Sequence, residues 1–141
     1  MAAFNYFNDF KEQIGLKTMN LNTDVLKVFL SNDAPAATDT VYGGVGGDPA
    51  EIAAGNGYTA GGIDTTNVWA ENPAGTGECS ATDVEWTATG AVGPFQYAVL
   101  YDEDTTNLIG WWDYGSPVTL ANGEKFKVDF TGDILFTVTN A

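Results

Sequence analysis

The 141-residue chain has no histidine and no arginine; its five basic residues are all lysines, set against 19 acidic ones, for a formal charge of −14. Without histidine there is no Ser-His-Asp or Cys-His catalysis, no imidazole metal ligand and no histidine pH switch. Without arginine there is no bidentate clamp for phosphate or carboxylate, and a strongly acidic surface repels a polyphosphate backbone. Nucleic acid is therefore not an expected partner. The single cysteine, Cys79, has no second thiol in the chain to pair with, so stability has to come from packing or assembly. No apolar run approaches the ~20 residues that cross a bilayer as a helix, and Asn5, Asn8 and Asp9 interrupt the stretch where a signal peptide would be apolar. Membrane insertion and secretion by that route are not expected.

What is present suits one folded domain. Hydrophobic residues make up 44% of the chain, aromatics 13% and charged residues only 17%, a composition that can bury a core despite its acidity.

Near the start, Phe7, Phe10 and Ile14 recur at helical spacing with Asp9, Glu12 and Gln13 on other faces, which predicts a short helix from Phe4 to Ile14 ended by Gly15. A helix this short needs a docking surface. Its own core is the first choice, and the aromatic density of Phe4, Tyr6, Phe7 and Phe10 also makes these residues candidate partner contacts. From Asp24 to Leu30 a nearly continuous apolar run reads as a central strand covered on both faces. Residues 31–64 then offer Gly, Ala, Thr, Asp and Pro with little periodicity. A loop that long is uncommon unless it is functional, and it reads as a surface excursion or an arm toward a neighbouring subunit.

After Thr65, strands and turns alternate. Val84, Trp86 and Ala88 face one way. Phe95 to Tyr101 and Leu108 to Tyr114 form a hairpin around an acidic turn, with Phe95, Tyr97, Val99 and Tyr101 sharing a face. A short piece from Pro117 to Leu120 precedes the Asn122-Gly123 turn. Phe126, Val128 and Phe130, then Ile134, Phe136 and Val138, complete the set. The fold class is mainly β: a single antiparallel sandwich or barrel-like domain, with residues 1–16 as an N-terminal helix, 31–64 as a long Gly-rich loop or arm and 65–141 as strands. Phe126, Val128, Phe130, Ile134 and Phe136 are the predicted core of its C-terminal part.

Candidate chemistry is sparse. Nothing in the spacing of the carboxylates selects an acid–base pair, so an enzyme is not expected. The run from Asp102 to Asn107 gathers oxygen donors of the kind calcium takes, but it lacks the glycine and glutamate of a calcium loop, and a plain hairpin turn with no metal is the better reading. The glycines at 43, 44, 46 and 47 have neither the strand-turn-helix context nor the lysine of a phosphate loop. No cofactor is expected. Tyr97, Tyr101, Trp111, Trp112 and Tyr114 could form a sugar-stacking platform; because neighbouring strand residues point to opposite faces, one of Trp111 and Trp112 belongs to the core and the other is a possible interface anchor.

Three blocks, FNDFKEQIGLKTMNLNTDVLKVFLSNDAP (Phe7 to Pro35), EIAAGNGYTAGG (Glu51 to Gly62) and GPFQYAVLYDEDTTNLIGWWDYGSPVTLANGEKFKVDF (Gly93 to Phe130), together just over half the chain, resemble a family of small virion structural proteins of tailed bacteriophages. The resemblance implies a capsid cement or decoration protein on the outer surface of the head, made in the bacterial cytoplasm. Its implied partners are the major capsid protein and further copies of itself, with a trimer suited to the threefold positions of a shell. A compact β domain has to meet such partners through surface its core does not use, which nominates Tyr42, Ile52 and Tyr58 in the long loop, the N-terminal aromatics and Trp112 as contact residues. A carbohydrate-binding or adhesion module of a tail or fibre is the alternative.

Overall fold

A computed structural model describes residues 2–43, 49–72 and 75–138. In chain order its elements are β1 (Phe4–Tyr6), α1 (Asn8–Gly15), β2 (Leu26–Ser31), β3 (Ile63–Asp64), β4 (Val68–Asn72), β5 (Thr76–Ser80), β6 (Val84–Thr87), β7 (Val92–Asp102), β8 (Leu108–Leu120), β9 (Lys125–Val128), a 3-10 turn (Thr131–Asp133) and β10 (Ile134–Val138). The protein is mainly β. All the strand pairs are antiparallel, in a five-stranded sheet ordered β1-β8-β7-β2-β3, a three-stranded sheet β10-β5-β4 and a pair β6-β9. Among the described residues no helix is long and apolar enough to cross a membrane.

The large sheet separates two apolar clusters. Val28, Leu30, Ala98, Leu100, Ile109 and Trp112 face the smaller sheets and join their side chains in the main core. Phe29, Val99, Tyr101 and Leu108 face the other way, where Phe7 covers them. β2 is thus covered on both faces, as its unbroken apolar run implies.

Three irregularities redirect side chains that strict alternation would have placed elsewhere. The β7–β8 register slips on both sides of Phe95, so Phe95 enters the main core while Tyr97, Val99 and Tyr101 serve the second cluster. Ile109 is the extra residue between the pairs Tyr101–Leu108 and Leu100–Gly110, a bulge that sends Ile109 and Trp112 to one face and Leu108 and Trp111 to the other. A third slip, between Ile134 and Phe136, buries Leu135 beside Phe136 and leaves Val138 exposed. Val128, Phe130 and Phe136 are core as expected, but Phe126 and Ile134 are only half-buried. The segment from Pro117 to Leu120 is no separate strand; it continues β8.

The N-terminus also departs from expectation. Phe4 to Tyr6 is a strand, because β8 offers it a free edge, and α1 starts only after Phe7. The helix runs through Gly15 and ends in a Schellman arrangement: Thr18 N–H bonds Gln13 O, Lys17 N–H bonds Ile14 O, and Lys17, not glycine, takes the left-handed position at φ 62°. The stretch 31–64 is expected from its sequence to be a loop or arm. Its described part folds back: Ser31 bridges Glu51, Val41 bridges Asn107, Gly55 bridges Tyr58, and β3 pairs with β2. Gly62 permits this closure, since it has φ 79° and any Cβ would collide with the Val28 carbonyl. Gly44, Gly46 and Gly47 lie outside the described residues.

Candidate functional site

The N-terminal aromatics are committed to their own subunit. β1 pairs Phe4 with Trp112 and Tyr6 with Gly110. Phe7 is fully buried with its ring 4.6 Å from that of Trp111, and Phe10 is buried with its ring 5.3 Å from that of Phe136. Phe7, Phe10 and Trp112 (2% exposed) therefore cannot serve as surface anchors, because the sheet and helix close over them. Phe4 and Tyr6 keep part of their surface: Phe4 packs 4.8 Å from Trp112, and the Tyr6 hydroxyl donates to Thr137 O at 3.3 Å. Of the Trp pair it is Trp111, not Trp112, that is half-buried.

The loop candidates converge on a residue that sequence reasoning passed over, Glu51. Tyr42 and Tyr58 donate their hydroxyls to its two oxygens at 2.5 and 2.7 Å, and Gly61 N–H donates to Oε1 at 2.7 Å. The Tyr58 oxygen in turn accepts Leu30 N–H at 3.0 Å, and Tyr101 donates to Gly61 O at 2.8 Å while its ring stacks 4.5 Å from Tyr42. Ile52 N–H bonds Leu30 O at 3.0 Å. Burial first, and then hydrogen bonding to the Glu51 carboxylate, push both the Tyr42 and Tyr58 phenols well above the ordinary range. These phenols are fixed proton donors. Tyr58 is buried, which corrects its reading as a contact residue: its ring and hydroxyl tie the loop to β2. Tyr42 and Ile52 remain half-buried at the rim of the same knot.

In the acidic turn the carboxylates already have partners. Asp102 Oδ1 accepts from Asp104 N–H at 2.9 Å and Thr105 N–H at 3.2 Å, Asp104 Oδ2 accepts from Val25 N–H at 2.7 Å, and Glu103 pairs with Lys27 at 2.7 Å. The Asp102 side chain has no exposed surface, and its Oδ2 meets a carboxyl group, that of Asp24, rather than an N–H. Burial and Asp24 push the Asp102 carboxyl up to about 7. Among the described residues no three His, Cys, Asp or Glu side chains are grouped to hold a metal ion.

A fourth feature had no signal in the sequence. Between α1 and the outer strands of the β10-β5-β4 sheet lie two hollows of about 440 and 340 Å³, both lined by Ile14 and Val138. Met19, Leu21 and Trp69 continue the apolar wall in the larger hollow, and Tyr6 and Phe10 do so in the smaller. Among the described residues the charged groups lining them are Lys17 and Lys11 respectively. Comparison with protein-family models, with curated proteins and with solved structures finds no match to this chain.

Proposed function

We propose that this chain is a non-enzymatic structural protein of a tailed-bacteriophage virion, of the cement or decoration type, that binds the outside of the major capsid protein shell and associates with copies of itself, as a trimer at the threefold positions. The observation that carries the reading is where the virion-like blocks fall. EIAAGNGYTAGG supplies Glu51, Tyr58 and Gly61 to the knot that holds the long loop down, and Tyr42, outside the blocks, completes it. LIGWWDYG is the first part of β8, where Gly110 leaves room for the Phe4 ring of β1. The blocks that carry the resemblance thus encode scaffold rather than a constellation of reactive groups, which suits a protein whose work is to add a rigid domain to a shell. Its charge would disperse particles and keep packaged or free DNA from adhering. The sugar-platform alternative draws no support, because every aromatic residue is buried or half-buried.

Cryo-electron microscopy of intact virions tests the proposal. Density for the domain over the capsid lattice, at a copy number matched to shell subunits, is the expected result; density confined to tail or fibre would overturn it.

A further inference from the structure

The lysines of this acidic chain are not spread evenly over its chemistry. Lys27 pairs with Glu103, Lys125 with Glu85 and Lys127 with Asp83. Lys11 and Lys17 have no ion pair among the described residues, and these are the two that line the hollows beside α1. Among the described residues no carboxylate lines either hollow, in a chain with 19 acidic side chains. The shared wall includes Val138, 41% exposed, and Leu16, 65% exposed, directly precedes Lys17 at the end of the helix. An apolar groove with a cationic lip, on a molecule that is acidic elsewhere, is complementary to an apolar surface that carries carboxylates.

We propose that this groove is the seat for a second copy of the same chain. Two subunits each bearing −14 repel one another in most orientations. The lip of Lys11 and Lys17 is the place where that repulsion reverses, and a sister subunit brings acidic side chains to it at whatever concentration the protein reaches. The groove cannot face its own twin, since lysine would then meet lysine across the apolar wall. It has to receive a different, acidic patch of the neighbour. The inference concerns the self-association in the reading above and does not depend on the shell.

Sedimentation equilibrium of the purified chain over a wide concentration range tests it, with Lys11→Glu/Lys17→Glu and Val138→Ser as variants. All three positions are exposed, so thermal melts should show both variants folded. The expected result is concentration-dependent association by the unaltered chain, weakened at least about tenfold in the charge-reversed variant and also in Val138→Ser. A chain that stays monomeric at its highest soluble concentration overturns the proposal and leaves the groove to a different partner, while virion localisation stands or falls separately. Association undiminished in the double variant overturns it as well, by placing the contact on another surface.

Discussion

The side chain of Asp102, with no exposed surface, lies against the carboxyl group of Asp24. Asp24 Oδ2 accepts Asn20 N–H at 2.6 Å, and Asp102 Oδ1 is held by two N–H groups of its own turn. The remaining oxygen, Asp102 Oδ2, is buried with no hydrogen-bond partner, and its burial, with Asp24 beside it, favours the protonated form of Asp102. The contact joins the turn before β2 to the turn between β7 and β8, with Asp104, Glu103 and Lys27 as the nearby charged groups.

That relationship fixes a pH dependence. The carboxyl is raised from 3.8 unfolded to about 7 folded, so its contribution to stability is whole below the ordinary carboxylate range and is lost as pH rises through about 7. Denaturant melts between about pH 5 and about pH 9 should show stability falling across neutrality. Asp102→Asn, which keeps the Oδ1 acceptor and gives Asp24 a permanent donor, should flatten that slope and stabilise the alkaline end by about 1–3 kcal/mol. A slope unchanged in Asp102→Asn would exclude the Asp102 carboxyl as its source. Asp83 acts in the opposite sense: the Phe130 N–H, with help from Lys127, holds it below the usual range, so its contribution is lost on the acid side.

The Glu51 knot makes a second prediction. Tyr58→Phe removes the acceptor of Leu30 N–H in a buried strand and one donor to Glu51, and should cost about 1–3 kcal/mol while leaving the ring's packing intact. A loss within about 0.5 kcal/mol, the scale of a surface change, would show that the hydroxyl does not tie the loop down.

Core burial makes a third. Phe130→Ala should cost about 3–5 kcal/mol, since the ring is 1% exposed and packs 5.7 Å from Trp112. Phe126→Ala should cost visibly less in the same melts, because its ring is half-buried.

Cys79 is fully buried and its thiol is pushed up to about 12 by that burial. Alkylation of the native protein at neutral pH should therefore track the opening of the β5 strand and become rapid only in denaturant. Rapid labelling of folded protein would place the thiol at the surface.

The regular strands were legible because a period of two survives in them: Val84 and Trp86 point inward along β6 as their spacing requires, and β2 is covered on both faces as its apolar run requires. Where the register slips, sequence misleads. Phe95 and Tyr97 look like one face, and only the irregular pairing on either side of Phe95 shows that they serve different clusters. Phe4 to Tyr6 fits a helix or a strand equally well, and the deciding partner, β8, is remote in the chain. Glu51 carried no local period at all, since its role arises from Tyr42, Tyr58 and Gly61 arriving from separate turns. The groove was invisible for a similar reason: it takes α1, β4 and β10 together to bring Lys17 near Trp69 and Val138.

The pairing of β1 with β8 also orders events at the ribosome. The first strand of the fold waits for a partner, Leu108–Leu120, that is translated much later, and until it arrives Phe4, Tyr6, Phe7 and Phe10 emerge as an uncovered aromatic segment. Non-local closure of this kind is slow and exposes nascent chains to misassociation. Synthesis at high rate should therefore favour inclusion bodies, and the yield of native protein should depend more on cooling and chaperone supply than its folded stability alone would suggest.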